Sequence, residues 1–256
     1  MSDLDAREAP RYPSTLAPKV YYQGLAERIT ENLLPVFSRL FDLTTTVTVL
    51  ELASGNGLHS LVYSNAFPNV TFQPTECDSL NVRAIDDTCR GVRANETGGV
   101  RRALELDVMR DDDWTKLERG GAGFETSSPA HATTYDLVIG HNFLHMIPFP
   151  EGPQTIFRNL ANPNLVSAAH GLVAFYGPFK HDDGFFSEGD SKFNAEISSR
   201  PSSYPLGLRS IDALARIAQT EGWDFVDRIP MPKGNWVLLF KVKGAETPRI
   251  ERSHPS

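Results

Sequence analysis

Cysteine is scarce in this sequence, and long apolar or basic runs are missing. Only Cys77 and Cys89 are present among the 256 residues, and they form no C-x-x-C pair. This spacing argues against a disulfide framework and against a zinc site, so we expect no bound metal. No apolar stretch reaches the roughly 18 residues that a membrane span requires. The net charge of −7, with no Lys/Arg-rich run, argues against nucleic-acid binding, because backbone phosphates require a basic face.

The remaining composition is typical of a globular domain. A hydrophobic content of 40% suffices for a substantial core, and 256 residues suit one α/β domain with an added cap or insertion. The first ten residues lack the basic and apolar regions of a secretion signal, so we expect a cytoplasmic protein in a reducing setting. The sequence leaves the oligomeric state open, with a homodimer as one option.

The stretch V-T-V-L-E-L-A-S-G-N-G, residues 47–57, changes abruptly from β-branched and apolar residues to small residues and glycines. Apolar residues at helical spacing follow over 58–67, so the pattern predicts a strand, a tight turn and a helix. Glycine lets the backbone turn sharply and approach a ligand closely, and the free N–H groups of the helix point back at the turn. An ordinary strand-to-helix turn is the alternative.

The run E-L-A-S-G-N-G resembles the first motif of class I S-adenosylmethionine (SAM)-dependent methyltransferases, E/D-x-G-x-G-x-G, with Ala53 at the first glycine. The resemblance implies SAM as the cofactor, with Glu51 near its amino-acid end. A cationic sulfonium suits an acid-edged turn better than a pyrophosphate does, and the dinucleotide fingerprint G-x-G-x-x-G differs in register. The cofactor-binding residues expected at this turn are Glu51, Ala53, Ser54, Gly55, Asn56 and Gly57.

Predicted helices and strands alternate along the rest of the chain. The helices cover 21–41 (kinked at Pro35), 58–67, 79–93, 110–119, 153–169 and 210–222, and the strands cover 47–51, 69–72, 100–108, 135–141, 171–176, 224–229 and 236–242. Residues 120–134 are predicted as a surface loop, and 177–207 as a long irregular connection of a length that is often functional. We expect disorder at residues 1–18 and from 244 onward.

This alternation predicts an α/β, Rossmann-like class I methyltransferase fold: a mostly parallel seven-stranded sheet with helices on both faces. We expect residues 1–42 to form an N-terminal extension and cap helix, and 43–243 the SAM-binding domain. Residues 177–207 form an insertion after the fifth strand, and 244–256 a tail. Ligands of open α/β sheets bind beyond the carboxyl ends of the strands, so the strand-end residues are the candidates for chemistry.

The second and third predicted strands end in acids. Glu76 follows about 25 residues after Glu51, which suits a carboxylate that accepts both ribose hydroxyls. Asp78 is a competitor for this task, and a solvated loop acid is the other interpretation of Glu76. The Asp107 carboxylate and the Val108 N–H are candidates for binding adenine, although Asp107 could instead cap the following helix.

The run H-N-F-L-H-M-I-P-F, residues 141–149, follows the fourth strand, where the transferred methyl group should arrive. Asn142 is expected beside the cofactor. His145 is the first candidate for a general base, with His141 and Tyr176 behind it. The alternative for each is a structural side chain with a local hydrogen-bond partner.

Aromatic and basic residues are the candidates for substrate binding. Phe179 follows the fifth strand and could form a substrate wall, with a core position as the alternative. Arginine binds carboxylates through two parallel hydrogen bonds, which makes Arg11 and Arg209 candidates for orienting a carboxylate acceptor. Tyr22, on the N-terminal helix, completes this set.

Several segments together resemble a methyltransferase-like family with the motifs E-I-A-S-G-T-G-Q-H, W-Q-P-S-D, N-M-I-H-I-S-P-W and Y-G-P-F. The segments that carry the resemblance are 51–59, 72–78, 106–108, 141–149, 176–179 and 231–240. It implies a SAM-binding fold, with Glu76 at the family's Asp and Asn142 and His145 on its N-x-x-H. The N-terminal signature is echoed only loosely, by R-Y-P-S at 11–14, so the resemblance does not define the substrate pocket.

These observations predict a SAM-dependent methyltransferase that acts on a small molecule, with a hydroxyl or carboxylate oxygen as the favoured acceptor. A SAM-binding regulatory or interaction protein without methyl transfer is the alternative. Turnover of SAM to S-adenosylhomocysteine (SAH) would separate the two. A nicotinamide-dependent oxidoreductase is disfavoured by the register of the glycines.

Overall fold

The computed structural model describes residues 19–40, 47–95, 97–118 and 134–245. Within these ranges seven α-helices alternate with eight strand segments. The helices are α1 (Lys19–Leu40), α2 (Leu58–Ala66), α3 (Ser79–Thr88), α4 (Asp111–Glu118), α5 (Glu151–Leu160), α6 (Glu188–Ser198) and α7 (Ile211–Thr220). The strands are β1 (Val47–Leu52), β2 (Val70–Glu76), β3 (Gly99–Val100), β4 (Leu104–Glu105), β5 (Leu137–His141), β6 (Leu172–Pro178), β7 (Trp223–Pro230) and β8 (Asn235–Val242).

The strands form one mostly parallel sheet in the order β3-β2-β1-β5-β6-β8-β7, and β4 also pairs with β2. The pairs β1–β2, β1–β5 and β5–β6 are parallel, whereas β8 runs antiparallel to both β6 and β7. The predicted architecture, including the final antiparallel pair, is confirmed. The chain leaves β1 towards β2 and returns to β5 on its other side, so the switch point lies between β1 and β5.

Helices cover both faces of the sheet. In β1, Val47 and Val49 belong to the apolar cluster formed with α1, α2 and α3, whereas Leu50 and Leu52 belong to the cluster formed with α4, α5 and α7. This division follows from the two-residue period of a strand. Glu51 is in phase with Val47 and Val49, so its side chain points towards α1–α3.

The third predicted strand, 100–108, is wrong as one continuous element. β3 and β4 are two short segments that both pair with β2. Between them the chain of β3 and β4 has one residue more than the matching part of β2, so the register shifts by one. Pro74 in β2 has no N–H to donate to the neighbouring strand. The Gln73 side chain instead donates to the Arg102 carbonyl at 2.8 Å, which replaces a ladder hydrogen bond.

Two further predictions need correction. The helix predicted over 153–169 is α5, which starts at Glu151 and stops at Leu160. Pro163 follows shortly after, and its ring disfavours a helical backbone at the residue before it. The connection 177–207 is not irregular throughout, because it contains α6. Ser187 caps α6 by accepting from the Asp190 N–H at 3.1 Å, and this Ser-x-x-Asp pattern was the overlooked signal.

The remaining predicted elements match, apart from shifted ends; α3 stops at Thr88 and is followed by a 3-10 turn over Arg90–Val92. The expectations for residues 1–18, and for all but the last residue of the loop 120–134, lie outside the described residues. Of the predicted tail, Gly244 and Ala245 are described, and the Ala245 carbonyl accepts from Lys241 Nζ at 2.8 Å. Among the described helices, none has the length and apolar content needed to cross a membrane.

Candidate functional site

Three residues with positive φ bend the chain between β1 and α2. Ala53, Gly55 and Gly57 have φ values of 52°, 60° and 80°. A Cβ on Gly57 would lie 2.9 Å from Ile85 Cγ2, so the missing side chain lets α3 pack against the start of α2. A Cβ on Gly55 would meet no heavy atom within 4 Å, and Gly55 is exposed. The turn therefore presents bare backbone to open space at Gly55.

Glu76 reaches this turn from the end of β2. Its Oε2 accepts from the Gly55 N–H and its Oε1 from the Cys77 N–H, both at 2.9 Å. Burial raises the pKa of Glu76, and the two amide hydrogen bonds oppose this shift. Two backbone donors thus fix the carboxylate and leave lone pairs for further hydroxyl donors. Its competitor Asp78 is used as the N-cap of α3.

Asp107 and Val108 follow β4 at the same edge of the sheet as Glu76. The Asp107 Oδ1 accepts from the Met109 N–H at 2.9 Å, which forms a local turn ahead of α4. Val108 is buried, and its carbonyl accepts from Trp114 Nε1 at 3.2 Å. The proposed contacts of both residues with an adenine stay predictions.

Glu51, the acid at the end of β1, is 0% exposed. Its Oε2 accepts from the hydroxyl of Ser60 on α2. Its Oε1 lies 3.3 Å from His141 Nδ1, but within the described chain neither atom has an aligned hydrogen bond. Burial raises the pKa of Glu51, and nearby His59 and Ser60 lower it. Glu51, two residues ahead of Ala53, therefore has an acceptor atom without a hydrogen bond from the described residues.

Two stacked imidazoles extend this network from Glu51 to α1. The rings of His59 on α2 and His141 on β5 have centroids 4.2 Å apart and planes inclined by 17°. His141 Nε2 lies 3.0 Å from the Tyr63 hydroxyl, and His59 Nδ1 lies 2.8 Å from the Thr30 hydroxyl on α1. Burial lowers the pKa of both histidines to about 3, so both are neutral at pH 7.

Asn142 and Tyr176 lie side by side at the ends of β5 and β6. The Asn142 N–H donates to the Tyr176 carbonyl at 2.8 Å, and Asn142 has a φ of 54°. The Tyr176 ring lies on the same face as His141, with centroids 6.3 Å apart. Its hydroxyl makes no hydrogen bond to the described residues, and burial raises its pKa to about 12.

His145 lies in a 3-10 turn, Leu144–Met146, that follows β5. It is buried, and its ring packs edge-on against Phe193 of α6 with centroids 5.6 Å apart. Burial, together with the positive charges of Arg209 and Arg200, lowers its pKa to about 4. The imidazole is therefore neutral at pH 7, which is the form that a general base requires.

Arg209 and Phe179 are surrounded by protein atoms. The Arg209 Nε donates to the Leu144 carbonyl at 3.1 Å and its Nη2 to the Ile147 carbonyl at 2.7 Å, while its guanidinium lies 5.1 Å from the centre of the Phe149 ring. Phe179 is buried in the cluster beside α5 and α7. These contacts occupy both side chains, and their contact with a substrate stays a prediction.

Ser54 and Asn56 stabilise the turn itself. The Ser54 N–H donates to the Thr75 carbonyl at 2.9 Å, and the Ser54 hydroxyl accepts from the Thr75 N–H at 3.2 Å. The Asn56 Oδ1 accepts from the backbone N–H two residues later at 3.4 Å. Arg11 lies outside the described residues, as does the side chain of Tyr22.

Sequence reasoning missed the partners of Glu51 and His141. Ser60 on α2 donates to Glu51, and His59 and Tyr63 on α2 contact His141. Thr30 on α1 in turn contacts His59. His59 and Tyr63 are one helical turn apart and share a face of α2, and this spacing was the available signal. Thr30 carries no comparable signal, because only the packing of α1 on α2 brings it to His59.

Solved structures with the same architecture include methyltransferases. An O-methyltransferase family protein from Burkholderia thailandensis matches with a TM-score of 0.64 at 15% identity, over 88% of this chain and 59% of that one. PigF with SAH matches with a TM-score of 0.60 at 16% identity, over 87% and 58%. Magnesium protoporphyrin IX methyltransferase (ChlM) from Synechocystis PCC 6803 with bound SAH matches with a TM-score of 0.55 at 14% identity, over 88% and 84%.

This chain spans less than two thirds of the first two proteins. Identities this low establish the fold alone, which is the Rossmann-like class I methyltransferase fold predicted from the sequence. A family model described as "Protein of unknown function (DUF938)" matches residues 21–242, from α1 to the end of β8. The matched range contains the glycine turn, Glu76 and the strand-end residues of β5 and β6. The chain therefore belongs to the DUF938 family.

Proposed function

We propose that this protein is a SAM-dependent methyltransferase that methylates a small-molecule acceptor at oxygen. The observation that carries the proposal is the contact between Gly55 and Glu76 across the ends of β1 and β2, with the Gly55 N–H 2.9 Å from Glu76 Oε2. Bare backbone permits the close approach of a nucleoside, and a fixed carboxylate accepts its ribose hydroxyls. The likeness to methyltransferase structures that contain SAH supports this assignment.

Different residues at this edge of the sheet bind different parts of SAM in this proposal. Glu76 accepts from the two ribose hydroxyls. The Asp107 carboxylate and the Val108 N–H serve the adenine beyond β4. The glycine turn and Glu51 receive the amino-acid end, because the unused Glu51 Oε1 attracts the ammonium group.

Bound SAM supplies a methyl group activated by the positive sulfur, and the chain supplies alignment and exclusion of water. Asn142 and Tyr176, at the ends of β5 and β6, border the side from which the acceptor approaches. His145 takes up the proton of a hydroxyl acceptor at a ring nitrogen. Its pKa of about 4 makes it a weak base, so the acceptor we propose is an acidic hydroxyl or a carboxylate, the latter needing no base.

A small acceptor is supported by the insertion and by the overall charge. Phe193 of α6 packs against His145, so the insertion covers the turn at which the acceptor should bind. The net charge of −7 disfavours a polyanionic acceptor such as RNA or DNA.

Calorimetric titration of the purified chain with SAM, SAH and NAD tests the cofactor. Binding of SAM and SAH, but not NAD, is expected. No heat with either SAM or SAH, on protein shown to be folded by circular dichroism, would refute the assignment. Formation of SAH with a panel of phenols and carboxylic acids then tests the transfer. SAM binding without turnover of any acceptor would favour the non-catalytic alternative.

A further inference from the structure

His141 and Glu51 lie on neighbouring strands and on the same face of the sheet. In the β1–β5 ladder Glu51 pairs with Ile139, so His141 is the next residue in phase towards the carboxyl ends of the strands. The exposed fraction of the side chain is 3% for His141 and 0% for Glu51. Bulk water therefore cannot satisfy these side chains, and their hydrogen bonds have to come from the protein or from a bound ligand.

The Tyr63 hydroxyl identifies the ring nitrogen of His141 that carries the proton. Tyr63 is 1% exposed, and among the described residues its hydroxyl has one hydrogen-bond partner, His141 Nε2 at 3.0 Å. A buried hydroxyl that donates to nothing is costly, so Tyr63 donates and Nε2 accepts. Because the imidazole is neutral, its single proton is then on Nδ1.

The Nδ1 proton faces the carboxyl group of Glu51. Nδ1 lies 3.3 Å from Oε1, and within the described chain neither atom has a competing hydrogen-bond partner. The Ser60 hydroxyl already donates to the second oxygen, Oε2. A small rotation of either side chain would align the Nδ1–H with Oε1. Ser60 and His141 together then fix both oxygens of the carboxyl group, each from a different element of the fold.

We propose that His141 is a positioning residue that holds Glu51 in the orientation in which it receives the ammonium group of SAM. The proposal rests on the proposed function and deepens it, because it assigns a buried side chain to the amino-acid end of the cofactor. It also removes His141 from the candidates for a general base. A base needs a free nitrogen lone pair, whereas Nδ1 is protonated and the lone pair of Nε2 accepts from Tyr63.

Asparagine and glutamine at position 141 separate this role from a purely structural one. The amide nitrogen of asparagine takes the place of Nδ1, whereas the longer glutamine places its amide near Nε2 and leaves Glu51 without a donor. Calorimetric titration compares SAH with 5′-methylthioadenosine, which keeps the nucleoside and the sulfur but has no ammonium group. His141→Gln should weaken SAH about 10-fold and keep 5′-methylthioadenosine within about 3-fold of the native affinity.

His141→Asn should keep both ligands within about 3-fold of the native affinity. His170→Gln is the matched control and should bind both ligands like the native chain, because His170 is exposed. Native SAH affinity in His141→Gln, or an equal loss of both ligands, would overturn the proposal. A loss of SAH in His141→Asn as large as in His141→Gln would overturn it as well. Failure of the native chain to bind SAH would instead refute the proposed function.

The protonated nitrogen of His141 gives a second measurement, which needs no folded variant. In ¹⁵N NMR spectra of the native chain at pH 7, the His141 ring should show a protonated Nδ1 and an unprotonated Nε2. The exposed His170 is the internal comparison and should show signals averaged over exchanging forms. A proton on Nε2 of His141 would overturn the proposal, because a nitrogen lone pair would then face Glu51.

Discussion

Glu51 Oε1 and His141 Nδ1 lie 3.3 Å apart in the layer between the sheet and α1–α2, with no aligned hydrogen bond to either atom from the residues that the structure describes. Both side chains are more than nine-tenths buried. A buried carboxylate beside a neutral imidazole is unfavourable unless a cation or donor compensates it. In the proposed function the ammonium group of SAM provides this compensation, and the first prediction follows from it.

Glu51→Gln should weaken SAM binding about 10-fold or more, because the amide keeps the shape of the side chain but removes its charge. The fold should persist, since Ser60 can still donate to the amide oxygen. Calorimetric titration with SAM measures the effect. Glu105→Gln, at an exposed acid on β4, is the control and should bind like the native chain. Equal affinities of both variants would remove Glu51 from the site.

Gly55→Val should abolish SAM binding. Valine disfavours the φ of 60° at this position, and its side chain would occupy the open space beside Glu76. Glu76→Ala should weaken binding strongly as well, because the ribose hydroxyls lose their acceptor. Gly91→Val is the control, since a Cβ there also meets no atom within 4 Å and the backbone is unstrained. Unchanged SAM affinity in both site variants would count decisively against this crevice.

His145→Ala should spare SAM binding and slow transfer to a hydroxyl acceptor by about 100-fold or more, the usual effect of losing a general base. With a pKa of about 4, the native rate should stay level from pH 6 to 8 and fall only as the pH approaches 4. Single-turnover kinetics at saturating SAM separates binding from transfer. Equal rates for variant and native protein would make His145 a structural partner of Phe193.

Arg209→Lys should lower the free energy of unfolding by about 2–3 kcal/mol, because lysine cannot reproduce the fork that serves the Leu144 and Ile147 carbonyls. Urea titration measures the loss. Arg216→Lys is the matched control, since the ion pair of Arg216 with Asp182 is exposed and should change stability by less than about 0.5 kcal/mol. A similar small effect at both positions would mean that Arg209 does not secure the turn after β5.

The stability of the protein should fall as the pH is lowered from 6 to 5. His59 and His141 have a pKa of about 3 in the folded chain against 6.5 when unfolded, so only the unfolded chain gains protons in this range. Each histidine should then contribute a loss of up to about 1.4 kcal/mol per pH unit. The raised pKa of Glu51 acts in the opposite direction, with stability lost as the pH rises.

His59→Gln should reduce this pH dependence by the contribution of one histidine. Urea titrations of native and variant protein at pH 6, 5.5 and 5 give the two slopes. Identical slopes would show that the pKa of His59 is the same in the folded and the unfolded chain. The comparison of slopes is independent of any constant loss of stability that the substitution itself causes.

Local patterns were sufficient to predict the glycine turn, the position of Glu76 and most helices and strands. The motif around Gly55 combines a strand, a turn and a helix within a few residues, so its geometry follows from short-range preferences. Two of the three corrected elements show where reasoning from apolar periodicity failed. Pro74 and Gln73 interrupt the neighbouring strand, and the cap at Ser187 starts a helix that has no clear apolar period.

The succession of helices and strands along the chain, and the acids and glycines near the strand ends, follow from the alternation of apolar, polar and glycine positions in the sequence. The place of His141 in a buried network with Glu51, and the contacts by which Arg209 secures the turn around His145, are visible only in the folded chain. Those roles depend on contacts between segments far apart in the chain. The packing of helices on the sheet brings such segments together, and no local pattern encodes that distance.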